Sequence, residues 1–385
     1  MKIQFIITDY GSFNNFLGDV AVALVRQGYR VHVICSKDKV IQVTDRFDYE
    51  GEGVTFAYIP FPRGFNVFKH WKASRQIHQA VSAFSPDIVS IHFTTGIFTT
   101  TFAGPLGYKT LGTFHGLGYP VVEGTLKRWL YYGIEALCMR RIDEAWVLNS
   151  FDYQQLQKDF AGSRTKVFLQ PTKGLGCVLD RFDKNLFSAE AKESLRNSLG
   201  IEQGDFVLCF TGRFVFFKGY DKVIRALRFL LEDRGMTNIK LLLIGGKDKA
   251  HPTGLTDDEE RWAMQSRHII PVGFTHEVAK YLSITDVFVF PSEKEGVPVC
   301  IIEALAMEVP VVTTDARGCN DLVTHLSNGI LVNKKPSTRQ LAEAIMLLKE
   351  DGELYHRLKM QIATERWSLD RENFVEQQVD LFSRA

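Results

Sequence analysis

Two carboxylates stand out in the stretch Phe288–Asp315 because their spacing could serve ligand binding. Seven residues separate Glu295 from Glu303, and the apolar run before them ends at Pro291. We expect Glu295 in a strand-to-helix loop and Glu303 about two turns into the following helix. Both carboxylates would then face the same end of a sheet, which is where open α/β sheets bind their ligands.

Two cations occur earlier in the same half of the chain. Arg213 and Lys218 follow the predicted strand Phe206–Thr211, so we expect both on the loop before the helix Gly219–Glu232. A guanidinium fork and an ammonium group at a helix N-terminus form an anion site that suits a diphosphate. Alone, this spacing is more typical of a solvated basic turn. The carboxylates favour the anion site, because a diphosphate joined to hydroxylated sugars needs both cations and acceptors.

Alternating strands and helices must position these residues. Short β-branched and aromatic runs alternate with segments of helical periodicity, which predicts an α/β fold of doubly wound, Rossmann-like domains with parallel sheets. Near the N-terminus we expect a loop, Asp9–Asn15, and then a helix, Phe16–Gln27. Further helices are predicted over Ser150–Lys158, with a serine cap, and over Arg317–Leu326.

The domain boundary is predicted at a segment rich in Pro and Gly. Pro171–Phe182 has little periodicity and is typical of a hinge or linker. We therefore expect one domain over residues 1–170, joined by a C-terminal helix over 366–385, and a second domain over 171–365. Each domain would present the carboxyl ends of its strands to an interdomain cleft.

Composition limits the possible classes of protein. The 385 residues are 45% hydrophobic and 24% charged, which is ordinary for globular domains, and the formal net charge of +1 argues against nucleic acid as a partner. The six cysteines form no CxxC pair and are typical of reduced thiols in a cytoplasmic protein. No stretch approaches about 18 uninterrupted apolar residues, so we expect a soluble protein, bound at most to a membrane surface.

Several motifs together resemble a known family. They are TGRF with the following KG, then LLLIGG, then PSEKEGVPVCIIEALAMEVPVVTTDARG. This set is similar to the retaining, nucleotide-sugar-dependent glycosyltransferases of family 4. The resemblance covers nearly the whole chain and implies the two-domain GT-B fold. The segments GLGCVLDRF, KDKAHPTG and RGC resemble most the branch that adds sugars to polyprenyl-diphosphate-linked glycans for capsule, O-antigen or protein glycosylation.

The resemblance implies roles for the charged residues. Residues 171–365 would bind the nucleotide sugar, and residues 1–170 would form the acceptor side. Arg213 and Lys218 would hold the donor diphosphate and stabilise the leaving group. Glu303 would accept hydrogen bonds from the ribose hydroxyls, and Glu295 would bind the donor sugar.

Backbone groups are implied as well. The N–H groups of Gly296, Val297 and Val299 would bind the donor sugar, whereas Pro298 in the same segment has no N–H to offer. In the first domain, Gly11 would let the backbone approach the phosphates because it lacks a side chain.

Three histidines lie near predicted strand ends, and they are weighed separately. His115 belongs to TFHGLGY, which resembles the family's histidine-glycine segment, so it would lie beside the sugar. For His92 and His268 a packed or hydrogen-bonded role is favoured, as is usual for such positions. No HExxH, DxD or Cys/His cluster is present, so we predict neither a metal nor another cofactor.

Two departures from the family pattern stand out. Tyr10 and Gly11 replace the paired glycines that the family often has, so the loop would either be less open or use Tyr10 to contact the substrate. Glu308 stands where the family usually has a glycine before Pro-Val-Val. We expect Glu308 to cap the helix or to face solvent, without a role in function.

Two cationic aromatic stretches, Arg63–Arg75 and Lys127–Tyr132, are equally compatible with docking on the inner membrane face and with ordinary amphipathic helices. Residues 1–184 carry 21 Lys and Arg against 16 Asp and Glu, so the first domain is the basic one.

The leading hypothesis is a cytoplasmic, peripheral hexosyl- or N-acetylhexosaminyltransferase. It would use a UDP-sugar donor and a lipid-linked glycan acceptor. The alternatives are a nucleotide-sugar epimerase of the same fold and a non-catalytic two-domain binding protein.

Overall fold

The computed structural model describes residues 1–37, 45–62, 64, 66–248 and 250–384. Arg63 and Phe65 begin the first cationic aromatic stretch, and Lys249 belongs to KDKAHPTG. These three residues lie outside the described part of the chain. The described residues divide into two compact units, and each is taken separately below.

The first unit, Met1–Pro171 with Glu372–Ala385, is built on a parallel sheet. The sheet has the order β3-β2-β1-β4-β5-β6-β7, so the winding reverses between β1 and β4, as in a doubly wound fold. Its strands are β1 (Lys2–Ile6), β2 (Arg30–Cys35), β3 (Thr55–Tyr58), β4 (Ile88–His92), β5 (Lys109–Phe114), β6 (Glu144–Val147) and β7 (Lys166–Leu169).

Helices connect these strands and cover the sheet. The central strand β4 is buried along its whole length, as expected for a parallel sheet with both faces covered. The helices of this part of the chain are α1 (Tyr10–Phe16), α2 (Gly18–Arg26), α3 (Val67–Phe84), α4 (Thr94–Thr101), α5 (Thr125–Met139) and α6 (Ser150–Asp159).

The second unit, Thr172–Arg371, repeats the same architecture. Its parallel sheet has the order β10-β9-β8-β11-β12-β13, and the winding reverses between β8 and β11. Its strands are β8 (Phe206–Phe214), β9 (Ile239–Lys247), β10 (Ile269–Gly273), β11 (Val287–Phe290), β12 (Val311–Thr314) and β13 (Gly329–Val332). The predicted class, doubly wound α/β domains, is therefore confirmed in both units.

The helices of the second unit pack apolar faces on this sheet. In α8 the buried residues Val223, Ile224, Leu227 and Leu230 recur at helical spacing. The helices are α7 (Ala189–Ser198), α8 (Tyr220–Glu232), α9 (Asp257–Gln265), α10 (Val278–Leu282), α11 (Val299–Ala306), α12 (Thr338–Glu350) and α13 (Gly352–Glu365).

The last helix returns to the first unit. This helix, α14 (Arg371–Arg384), follows a short 3₁₀ turn over Arg366–Leu369. The ring of Phe382 packs edge-on against Phe5 of β1, with 5.5 Å between the ring centroids. The C-terminal residues therefore contribute to the core of the first unit.

The prediction of a loop over Asp9–Asn15 is wrong, because α1 begins at Tyr10. The Asp9 carboxylate caps this helix by accepting a hydrogen bond of 2.9 Å from the backbone N–H of Ser12. The helix was not predicted because residues such as Asn14 have a low helix propensity and interrupt the apolar periodicity. In the structure Asn14 is buried and accepts a hydrogen bond from the Tyr49 hydroxyl.

The helix predicted over Arg317–Leu326 is also wrong, because this segment forms turns. Gly318 and Leu326 both have positive φ angles, which a right-handed helix cannot accommodate. The serine cap predicted at Ser150 is wrong too. The cap is Asn149, whose side chain accepts a 2.8 Å hydrogen bond from the Asp152 N–H.

A close contact between two glycines allows β8 and β9 to extend together. Gly245 has φ +130°, and a Cβ atom there would lie 1.9 Å from the carbonyl oxygen of Gly212. Its neighbour Gly246 has open space at that position. Pairing therefore continues to Phe214 and Lys247.

This contact predicts unequal losses of stability for two neighbouring substitutions. Gly245→Ala should lower the free energy of unfolding of the second unit by at least about 2 kcal/mol, because it adds a backbone clash to a strained φ. Gly246→Ala is the matched control and should change it by less than about 1 kcal/mol. Urea unfolding measures both, and equal losses would contradict the close contact.

Candidate active site

Lys218 and Glu295 form the centre of a polar site in the second unit. Lys218 ends a 3₁₀ turn after β8, and Glu295 lies in the loop between β11 and α11, as predicted. The ammonium nitrogen is 2.6 and 2.7 Å from the two carboxylate oxygens. The side chains are only 21% and 10% exposed. The site therefore lies at the carboxyl end of the sheet, where the winding reverses.

Side chains around Glu295 hold it in place. The Ser292 hydroxyl lies 2.6 Å from Glu295 Oε1 and 3.0 Å from the carbonyl oxygen of Phe217. Arg317 Nε donates a 2.9 Å hydrogen bond to the Glu295 carbonyl, and the Glu295 N–H donates to the Arg317 carbonyl at 3.2 Å. The sequence analysis missed Ser292 and Arg317. The serine three residues before the glutamate was the available signal.

Two glycines let the loops of the site approach one another. Gly219 has φ +82°, and a Cβ atom there would lie 2.3 Å from the Pro291 carbonyl oxygen. Gly318 has φ +81°, and a Cβ atom there would lie 2.4 Å from the Gly296 carbonyl oxygen. Only glycine fits both positions. The contact of Gly219 sets the approach of the Lys218 loop to the loop after β11, and the contact of Gly318 sets the approach of the loop after β12 to Gly296.

Glu303 is a largely buried carboxyl group near this pair. It is the fifth residue of α11 and so lies about one turn into the helix, not two. Burial raises its pKa to about 7. Within the described residues, its carboxyl group has no hydrogen bond or ion pair. Lys218, Glu295 and Glu303 all act electrostatically on the Cys300 thiol, so the three charged groups lie around Cys300.

Arg213 also lies at the carboxyl end of β8, but its ion-pair partner is Asp248 and not Glu295. It belongs to β8 and not to the predicted loop, because the pairing with β9 continues beyond it. Its guanidinium forms an ion pair with Asp248, and its side chain is 53% exposed. The guanidinium is also 5.6 Å from the ring centroid of Phe217, and Lys294 Nζ is 5.3 Å from the same centroid. Two cations therefore flank the residue that precedes Lys218.

The segment between Glu295 and α11 carries the predicted backbone donors. Gly296 and Val297 precede Pro298, the N-cap of α11, and Val299 is its first residue. In the described chain, the N–H groups of Val297 and Val299 donate to no acceptor. Both groups are therefore available to a ligand at this edge of the sheet.

Glu308 follows α11 with a positive φ of 58°. This conformation explains why a glycine would suit the position. Its carboxylate pairs with Lys184 at 2.5 Å, so it takes part in an ion pair.

In the first unit, the surroundings of Gly11 differ from the expectation. Gly11 is buried in the first turn of α1 and is not part of an open loop. The hydroxyl of Tyr10 donates a 2.8 Å hydrogen bond to Asp45, and its ring packs on Phe13, Tyr49 and Phe56. The role of Gly11 at the phosphates stays a prediction.

His115 follows β5 and is surrounded by aromatic rings. The ring centroids of Phe93 and Phe16 lie 4.2 and 5.3 Å from that of His115. Its Nε2 is 3.1 Å from Nδ1 of His92. Desolvation lowers the pKa of His115 to about 3, so the imidazole is neutral at ordinary pH. His92 is buried, as predicted, and the ring of His268 is bonded to the Ile239 carbonyl.

The loop after His115 is held by two buried carboxylates that the sequence analysis missed. Glu135 accepts hydrogen bonds from the N–H groups of Gly118 at 2.8 Å and Tyr119 at 3.2 Å. Asp152 accepts one from the N–H of Leu117 at 3.1 Å. Burial raises the pKa of Glu135. An acidic residue inside the apolar run IEALCM was the available signal.

Metal-binding clusters and membrane-spanning helices are both absent from the described residues. No group of three or more His, Cys, Asp or Glu side chains is placed to hold a metal ion. No helix in the same residues is both long enough and apolar enough to span a membrane. All six cysteines are free, and every one except Cys300 is buried.

Comparisons with known proteins match both halves of the chain. Residues 13–171 match the family model described as glycosyl transferase 4-like domain, and residues 191–364 match the model of glycosyl transferases group 1. The capsular polysaccharide biosynthesis glycosyltransferase CapM of Staphylococcus aureus is 24% identical over 92% of this chain and 89% of its own length.

Two further proteins are similar along most of the chain. A UDP-Gal:α-D-GlcNAc-diphosphoundecaprenol α-1,3-galactosyltransferase of Escherichia coli is 22% identical over 80% of this chain and 77% of its own length. The crystal structure of HepE of Anabaena with UDP and glucose superposes with a TM-score of 0.76 at 17% identity, covering all of both chains. At that identity the likeness establishes the fold alone.

The raised pKa of Glu303 predicts a pH dependence of stability. The folded chain holds this proton more tightly than the unfolded chain, whose carboxyl has a pKa of 4.5. The second unit should therefore lose stability as pH rises from about 4.5 to about 7, by on the order of 2–3 kcal/mol. Glu303→Gln should remove this loss, which urea unfolding at pH 5 and pH 8 measures.

The matched control is Glu277→Gln, because Glu277 is an exposed glutamate with a single surface ion pair. It should leave the pH dependence as in the wild type. Parallel curves for the wild type and Glu303→Gln would contradict the assignment of the raised pKa to Glu303.

Proposed function

This chain belongs to the group 1 and family 4-like glycosyltransferases, and from that premise we propose that it transfers a sugar from a UDP-sugar to a glycan hydroxyl. It has the GT-B fold, and its sugar transfer serves the synthesis of polysaccharide or lipid-linked glycan. The proposed transfer retains the configuration at the anomeric carbon. The observation that carries the proposal is the cluster of Lys218, Glu295 and Glu303 where the winding of the second sheet reverses.

The Lys218–Glu295 pair is proposed to open when the donor binds. A diphosphate carries more negative charge than one carboxylate, so it competes for the ammonium group of Lys218. Glu295 then becomes free to accept hydrogen bonds from hydroxyls of the donor sugar. The N–H groups of Gly296, Val297 and Val299 are suited to the same sugar, with Pro298 fixing the start of α11.

Arg213 is proposed to act beside Lys218 on the diphosphate. Its guanidinium is half exposed, and its present partner Asp248 lies in the segment after β9. A diphosphate neutralised by Arg213 and Lys218 needs no metal ion, so we propose metal-independent transfer. The leaving phosphate would take the proton of the acceptor hydroxyl, as the family resemblance implies.

Glu303 is proposed to bind the ribose of the nucleotide. A partly buried carboxyl group without a partner is unfavourable, and two hydroxyl donors would satisfy both of its oxygens. Ionisation strengthens such hydrogen bonds. Since burial raises the pKa of Glu303 to about 7, both protonation states are populated near neutral pH. Donor binding should shift this equilibrium toward the ionised form, which accepts the stronger hydrogen bonds.

In the first unit, His115 and Gly11 are proposed to contact the donor. His115 is neutral and so would serve as a hydrogen-bonding group beside the sugar and not as a cation. Gly11 would allow close approach of the α1 backbone to the phosphates.

The acceptor is proposed to be a glycan on a polyprenyl diphosphate. The name of the E. coli relative supports this class, since it gives UDP-Gal as donor and a diphosphoundecaprenol-linked sugar as acceptor. The complex of HepE with UDP and glucose supports a uridine nucleotide. A screen of UDP-sugars distinguishes a hexose donor from an N-acetylhexosamine donor.

A surface of the first unit is proposed to contact the inner membrane face. All residues over 125–131 of α5 are exposed, including the apolar Leu126, Trp129 and Leu130 and the cationic Lys127 and Arg128. Such a helix end suits an anionic interface, where aromatic bodies insert and cations lie near lipid phosphates. The basic balance of residues 1–184 supports the same contact.

Removal of either donor-binding cation should depress turnover. Arg213→Ala and Lys218→Ala should each lower the rate of UDP release with acceptor present by about 100-fold, because each removes a preorganised charge at the leaving group. Lys280→Ala is the control, since Lys280 pairs only with Glu277 on the surface of the described unit. Unchanged turnover in both site variants would refute the proposal. Conversion of the nucleotide sugar without acceptor would favour an epimerase.

The membrane contact predicts a difference between two exposed tryptophans. Trp129→Ala should weaken binding to phosphatidylglycerol vesicles by about tenfold, because an inserted aromatic side chain is lost. Trp367→Ala in the second unit is the matched control, because Trp367 is 71% exposed and Trp129 is 69% exposed. Vesicle sedimentation measures both variants. Equal binding by the wild type and Trp129→Ala would contradict the contact.

A further inference from the structure

A chain of three polar side chains runs between two neighbouring strands of the first unit. Ser90 and His92 lie two residues apart on β4, so they point to the same face of the sheet. The Ser90 hydroxyl oxygen is 3.1 Å from Nε2 of His92. Nδ1 of His92 is 3.1 Å from Nε2 of His115, just after β5. Ser90 and His92 are buried, so water does not compete for most of the hydrogen bonds among these three side chains.

The direction of these hydrogen bonds follows from counting donors and acceptors. A serine hydroxyl has one hydrogen, and in a neutral imidazole one nitrogen donates while the other accepts. Among the described residues, the Ser90 hydroxyl has no acceptor other than His92. If His92 donated to Ser90, the buried hydroxyl hydrogen would have no acceptor, which is unfavourable.

The satisfied arrangement is therefore the one in which Ser90 donates to Nε2 of His92. His92 must then carry its proton on Nδ1 and donate it to Nε2 of His115. His115 in turn must carry its own proton on Nδ1. That N–H has no acceptor among the described residues, and His115 is partly exposed.

We propose that Ser90 and His92 are positioning residues that fix His115 as an Nδ1–H donor toward an oxygen of the substrate. This inference rests on the proposed function for the identity of that oxygen, which would be a hydroxyl of the donor sugar. The fixed tautomer itself is a property of the first unit alone. A donor held in one tautomer loses no free energy to tautomeric exchange when substrate binds.

The residues around these hydrogen-bonded side chains support a fixed orientation of the His115 ring. Phe93 has a positive φ of 67°, and its N–H donates a 2.9 Å hydrogen bond to the Thr113 carbonyl. This strained backbone holds the Phe93 ring 4.2 Å from that of His115. Burial lowers the pKa of both His92 and His115, so both rings are neutral, as the hydrogen-bond chain requires.

The test is the tautomer of His115 in the ligand-free 385-residue chain, read from the two ring ¹⁵N shifts in long-range ¹H–¹⁵N spectra at pH 7. We expect a protonated Nδ1 and a bare Nε2. In Ser90→Ala the His115 shifts should move toward a mixture of tautomers, and Ser90→Thr, which keeps the hydroxyl, should restore them. A neutral His115 protonated on Nε2, or an imidazolium, would overturn the proposal.

A matched serine controls for packing. Ser74 is buried in the same unit, but its hydroxyl donates to the Thr100 carbonyl at 2.8 Å and accepts from the Ala103 N–H at 3.0 Å. Within the described residues it is hydrogen-bonded to no histidine. Ser74→Ala should leave the His115 shifts unchanged. If Ser74→Ala moves them as far as Ser90→Ala does, the effect is structural and the positioning role is refuted.

Kinetics separate this inference from the proposed function. Ser90→Ala should lower kcat/KM for sugar transfer by about tenfold, as for the loss of one hydrogen bond, and Ser90→Thr should recover most of it. Sugar transfer that is equally fast in Ser90→Ala would overturn the positioning role and leave the function intact. A protein that shows the expected tautomer but transfers no sugar would overturn the proposed function and leave the tautomer assignment intact.

Discussion

The contact between Lys218 and Glu295 is the interaction on which the second unit's site depends. Two largely buried charges are stable only when each is paired or hydrogen-bonded, because desolvation costs several kcal/mol for each ion. The pairing in turn requires the loops after β8 and β11 to meet, which Gly219 allows by its contact with Pro291. Ser292 then fixes one carboxylate oxygen. A ligand that displaces Glu295 from Lys218 must supply an equivalent negative charge to the ammonium group, and a diphosphate has this charge.

The two units solve the same problem in different ways. In each, loops at the carboxyl ends of parallel strands must be held in one conformation. The second unit holds its loops with an ion pair and glycine contacts. The first unit holds the loop after His115 with hydrogen bonds from backbone N–H groups to the buried carboxylates of Glu135 and Asp152. At these loops the first unit presents the neutral imidazole of His115, whereas the second unit presents charged side chains.

Local signals made much of the fold and part of the site predictable. β11 and the loop with Glu295 were predicted because a continuous apolar run ends at a proline. The helix α1 was missed, since its stability comes from the Asp9 cap and the burial of Asn14. The turns after Arg317 were missed because they depend on two positive φ angles. No sequence pattern reveals which partner a buried Glu135 finds, because that contact is tertiary.

The most direct test is a calorimetric titration of the 385-residue chain with UDP and with UMP in the presence of EDTA. Lys218 and Arg213, and not a metal ion, are proposed to bind the second phosphate. UDP should therefore bind at least about tenfold more tightly than UMP, and chelation should leave this difference unchanged. Absence of UDP binding, or equal affinity for UDP and UMP, would contradict the assignment of Lys218 and its neighbours as a donor site.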